Sequence, residues 1–211
     1  MLKTERMDRV RAALRAQGLT QMIVCDPKSV WYLTGVAVEP YERLLALYLP
    51  TEGEPVLFLN RLFNVPEPPC RTVWHTDTDK PVAQIAEVVD AGRPLGIDKE
   101  WPAKFLIPLM ETHPGMQVVL SSDCVDDCRA CKDAEEQALM REASRINDAV
   151  NEAAKHYIKA GMTEREVAEF IDAQFRAHGC EGPSFTTIVS FGANAADPHH
   201  EPDDTVLKEG D

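Results

Sequence analysis

The sequence predicts an α/β fold in two parts, and three observations carry that reading. Over about the first 125 residues, short apolar runs alternate with stretches of helical spacing, as when strands feed helices across a sheet. After Asp127 the period changes. Leu139, Ala143, Ile146, Val150, Ala153 and Tyr157 step by four and three, which makes one apolar stripe on a single long helix. A second amphipathic helix and a β-branched run then lead to a loop with two adjacent histidines, His199 and His200.

The elements follow in order. Met7, Val10 and Leu14 recur at helical spacing and Gly18 stops them, which predicts an amphipathic first helix. "QMIVC" (21–25) reads as a buried strand. "LLALYLP" and "PVLFLN" read as two more, joined by the turn "TEGE". "DKPVAQIAEVVDAG" predicts a helix, "PLGID" a strand, "WPAKFLIPLMETHPG" a short helix ended by Pro114-Gly115, and "MQVVLSS" a further strand. The long helix is predicted over 133–160 and ends at Gly161. Thr163 and Glu166 form a T-x-x-E capping box. Val167, Phe170, Ile171 and Phe175 line the next helix up to Gly179, and "SFTTIVSFG" reads as a strand, with Phe185 packing it into the core or else lining a pocket. The division into domains is placed at 1–127 and 128–211.

Composition narrows the function. The chain has 211 residues, 44% of them hydrophobic, enough for a real core. The net charge of −13 comes with no basic stripe, which argues against a nucleic-acid partner. The longest apolar run, Leu44 to Leu49, is far too short to span a bilayer. The N-terminus mixes both charges and has no apolar h-region, so the expected location is the cytoplasm. Cys25, Cys70, Cys124, Cys128, Cys131 and Cys180 are expected as reduced thiols. The C-x3-C-x2-C spacing at 124–131 invites a zinc reading, but no second Cys/His pair lies at finger spacing. His75, His113, His156 and His178 are scattered, with no partner at ligand spacing. The acidic group Glu201, Asp203, Asp204 reads as a solvated loop.

Four stretches, in this order and spacing, carry a family resemblance: "DPKSVWYLTG", "CRACKDAEEQALMREASRINDA", "AGMTEREVAEFI" and "GCEGPSFTTIVSFGANAADPHHEPDDTVLKEGD". Together the chain resembles the metallo-aminopeptidases and creatinase, the pita-bread fold. It is most similar to the proline-specific branch, Xaa-Pro dipeptidase (prolidase) and Xaa-Pro aminopeptidase. The resemblance implies a creatinase/prolidase-like α/β N-terminal domain, followed by the opening helices and strand of a truncated pita-bread catalytic domain.

The same resemblance implies residue roles. His199 would face the substrate and stabilise the charge that builds on the attacked carbonyl, a task for which a histidine donor near neutral pH is suited. In creatinase the matching histidine is the general acid/base. His200, Tyr41 and Arg43 would bind substrate. The aromatic-x-Arg pair is similar to creatinase residues that reach into a partner subunit and hold a carboxylate, which the Arg fork grips bidentately. Two divalent ions (Mn, Co or Zn) are implied, with ligands beyond Asp211 and none in this chain, so that 1–211 alone is expected to be inactive. The implied parent is a homodimer acting on proline-containing peptides. Two alternatives stay open. One is a creatinase-like hydrolase or lyase of a small carboxylated substrate. The other is a non-catalytic binding or dimerisation module.

Overall fold

A computed structural model of the chain describes residues 2–211. It forms two compact units, one ending at Lys132 and one running from Asp133 to Asp211.

The first unit is built on a six-stranded mixed sheet. Helix α1 (Thr4–Ala16) precedes strand β1 (Gln21–Val24), and α2 (Pro27–Thr34) follows it. Strands β2 (Ala46–Pro50) and β3 (Val56–Asn60), the two runs read on either side of the TEGE turn, form an antiparallel pair. Then come β4 (Arg71–His75), α3 (Pro81–Ala86), β5 (Leu95–Ile97), α4 (Ala103–Thr112), β6 (Val118–Leu120) and α5 (Asp123–Ala130). The strand order is β4-β3-β2-β1-β5-β6. Strand β1 runs antiparallel to β2 and parallel to β5.

Side chains alternate across a strand, and this sheet is covered on both faces. Met22, Val24, Leu47, Leu49, Leu57 and Leu59 pack with Met7, Val10 and Leu14 of α1, Leu33 of α2 and Val125 of α5. The alternate residues Ile23, Ala46 and Phe58 pack on the other face with Ile85 of α3 and Leu109 of α4. Burial on both faces is why the strands read as unbroken apolar runs rather than alternating ones.

Three elements escaped the pattern reading. Helix α2 is only eight residues long; it starts at Pro27 behind an Asp26 side chain that accepts from the Lys28 and Ser29 amides. Strand β4 carries Arg71 and His75 in five residues, so its apolar signal is weak. Helix α5 is acidic on one side and buries Cys124 and Val125 on the other. It runs through residue 127, so the boundary suggested there falls inside a helix of the first unit.

In the second unit, α6 (Ala134–Tyr157) is capped by Asp133 and α7 (Glu164–Ala177) by Thr163, each with a complete capping box. The α6 stripe is buried at Val150 and Ala154, while Leu139 is 66% exposed. "SFTTIVSFG" is not a strand. The segment has no ladder partner among the described residues, and a strand needs one to satisfy its backbone. Val189 and Phe191 still bury against Val167, but Phe185 is 70% exposed, not packed in the core.

Candidate active site

The loop from Phe191 to Thr205 is organised around one carboxylate, that of Glu164. This residue opens the first turn of α7, a place where a negative charge is favoured, and it is fully buried at 0% exposure. Its Oε1 accepts from the Phe191 amide at 2.7 Å and from Asn194 Nδ2 at 3.0 Å. Its Oε2 accepts from His200 Nε2 at 2.6 Å and from the Asp203 amide at 3.1 Å. The exchange runs both ways, since the Glu164 amide donates to Thr205 O and the Arg165 amide to Asp203 O. The Asn194 amide group also donates to Thr205 Oγ1.

Proton positions follow from the partners. A buried ionised carboxylate only accepts, so Asn194 presents its NH2 and His200 carries a proton on Nε2. Burial by itself raises the Glu164 carboxyl. The donors from Phe191, His200, Asn194 and Asp203 outweigh it and hold it down at about 2. The hydrogen bond to Glu164, against a smaller desolvation effect, pushes His200 upward.

The two histidines therefore part company. The half-buried His200 ring gives its Nε2 to Glu164. His199 is exposed; its amide donates to Asp197 Oδ1 at 2.9 Å and its imidazole makes no hydrogen bond to any described residue. Among the described residues, the one trio of metal-type ligands whose atoms lie close together is Glu164, His200 and Asp203. It does not fit an ion. A carboxylate has about four lone-pair sites, and all four of Glu164 are taken by N–H donors. Cys124, Cys128 and Cys131 form no such group among the described residues, with Cys124 buried and Cys131 exposed.

Tyr41 and Arg43 lie in the first unit. The Arg43 amide closes a turn onto Pro40 O, which leaves Tyr41 at φ 50 with its side chain 80% exposed. The Arg43 fork is already filled: Nε and Nη2 sit 3.0 and 2.9 Å from the two oxygens of Asp77. Asn60 Nδ2 holds Asp77 at 2.9 Å, and Asn60 in turn lies against His75, whose Nε2 donates to Leu44 O. A ligand carboxylate would have to displace Asp77.

Comparison with known proteins agrees with this architecture. Residues 6–131 match the Creatinase/Prolidase N-terminal domain, and residues 138–211 match Metallopeptidase family M24. The chain belongs to the creatinase/prolidase family. Among relatives of this family, the Probable dipeptidase PepE of Mycobacterium bovis is 31% identical over 209 residues, covering 95% of this chain and 55% of that protein. The crystal structure of dipeptidase PepE from Mycobacterium ulcerans superposes with a TM-score of 0.84 at 28% identity, covering 97% of this chain and 57% of that one. A recombinant prolidase from Thermococcus sibiricus gives 0.85 at 26% identity, with 100% and 59% covered. The creatinase/prolidase-family chain thus spans less than two thirds of the length of these relatives.

Glu164 and Asn194 were missed in the sequence. The signal was there for Glu164: it stands three residues before Val167, on the apolar stripe of α7, where an unpaired charge would not be tolerated.

Proposed function

We propose that the protein carrying these residues is a metal-dependent peptidase that cleaves the bond before proline in short peptides, with His199 as the substrate-facing group. The observation that carries this is the unpaired, exposed imidazole of His199 on a loop tied down on both sides. The loop holds the His199 backbone in place and leaves the imidazole free to meet a developing oxyanion, whose stabilisation needs a donor at hand. The dipeptidase and prolidase relatives supply the substrate class. The divalent ions belong to side chains outside Glu164, His200 and Asp203, and the family resemblance puts them beyond residues 1–211.

In this reading His200 is a loop anchor, and Phe185 and Ile188, both exposed, belong to an apolar groove with Ile146 and Phe175. The reading also makes the protein a cytoplasmic homodimer, in keeping with six free cysteines. No described helix is long and apolar enough to cross a membrane. The filled fork of Arg43 weighs against the creatinase-like alternative, which needs that guanidinium for a carboxylate.

The test compares an Ala-Pro with an Ala-Ala dipeptide as substrates of the full-length protein with added Mn or Co. Preference for the proline substrate by at least about tenfold in kcat/KM, or about 1.4 kcal/mol of transition-state discrimination, is expected. Equal turnover of both sinks the proline assignment. Residues 1–211 alone are expected to turn over neither, and activity there would refute the placing of the metal ligands.

A further inference from the structure

We infer that Glu164 is a positioning residue, whose carboxylate sets where His199 stands by holding the loop on either side of it. The inference rests on the reading of His199 as the substrate-facing group. Three observations support it.

First, the four donors reaching Glu164 are spread along the loop. The Phe191 amide is at its start, Asn194 is early in it, the His200 ring directly follows His199, and the Asp203 amide lies beyond. One side chain thus closes the loop into a ring. Second, the segment between the anchors is short and internally tied. Asp197 Oδ1 accepts from the His199 amide, and Asp197 O accepts from the His200 amide at 3.3 Å. His199 is therefore fixed from the Asp197 turn on one side and the His200 anchor on the other, while its own ring stays free. Third, Glu164 is inaccessible to solvent, so water cannot take over for a lost donor. No apolar or amide side chain reproduces the pattern. A glutamine keeps one oxygen but points an NH2 at two N–H donors.

Glu164→Gln and Glu164→Asp decide the matter, with two readouts. The first is amide hydrogen exchange at Phe191 and Asp203 in the 211-residue chain, with the amides of β1 and β3 as an internal check that the first unit stays folded. Glu164→Gln is expected to speed exchange at both loop amides at least about tenfold, as loss of a charge-assisted bond should, and Glu164→Asp to recover part of it. The second is dipeptide turnover by the full-length protein. Here kcat is expected to fall about 10- to 100-fold, the scale of misplacing a catalytic group by about an ångström. KM should move less than about threefold, with partial recovery in Glu164→Asp. Unchanged exchange in Glu164→Gln overturns the inference. So does lost protection with unchanged kcat, which would make Glu164 structural only. A full-length wild type that cleaves no proline dipeptide would sink the peptidase reading by itself, and the exchange result would still decide whether Glu164 holds the loop.

Discussion

At the scale of single residues, two adjacent histidines are placed differently by one buried carboxylate: the His200 ring bonds Glu164 while His199 stays exposed. Glu164 sits at about 2 against an ordinary 4.5. A depressed carboxyl contributes stability that is present above 4.5 and is lost as the pH falls toward 2. His200 is raised from its ordinary 6.5, so its contribution is complete below 6.5 and fades as the pH rises past its folded value. The Phe191 amide, corrected for intrinsic exchange, should therefore be best protected between about pH 4.5 and 6.5 and lose protection on acidification below that window. Flat protection down to pH 2 would contradict the pairing. Cys25 offers a second check. Burial, then the neighbouring Asp98, pushes its thiol far up, and Asp98 also accepts from the Cys25, Asp26 and Glu100 amides. Because the thiolate is the reactive form, Cys25 should resist alkylation in the folded chain while the exposed Cys131 reacts. Mass mapping after iodoacetamide reads this directly, and Cys25 labelling as fast as Cys131 would count against the described packing.

At the scale of elements, what could be read early were the features that repeat. The apolar stripe of α1, the β2–β3 pair and the two capping boxes announce themselves through period and spacing. Helix α2, strand β4 and helix α5 are short or charged, and their formation depends on what they pack against. "SFTTIVSFG" has the composition of a strand and lacks a neighbour to pair with among the described residues, so composition misled there. The site divides the same way. His199 is proposed from its motif, whereas the Glu164 ring joins residues 27 to 39 positions apart, and no local pattern marks that closure. Two substitutions test the element-level account. Gly96 lies in β5 between β1 and β6, and a Cβ there would come within 2.5 Å of Ser121 Oγ and 3.2 Å of Gln21 O. Gly96→Ala should lower stability by about 1–3 kcal/mol through overpacking. Thr163→Ala removes the cap of α7 and should cost about 1 kcal/mol. Urea midpoints measure both, and a neutral Gly96→Ala would mean the strand can shift where the packing says it cannot.

At the scale of the whole molecule, the two units differ in how much they bury. The first has a sheet covered on both faces by helices. The second centres on Val167, Val189 and Phe191 and leaves Leu139 and Met140 of α6 exposed. Regions with few buried apolar contacts open first, so limited proteolysis should cut within 133–211 before it cuts within 2–132. The reverse order would contradict this division of stability. The family's peptide chemistry, in the proposed reading, rests on the smaller unit and its loop.

The most direct test of that reading is the replacement of His199 by alanine in the full-length protein, with His200→Ala beside it. Loss of His199 should lower kcat for a proline dipeptide by about 100- to 1000-fold, the cost of one oxyanion donor, with the Phe191 and Asp203 amides still protected. Wild-type kcat in His199→Ala, with that loop intact, would contradict the account.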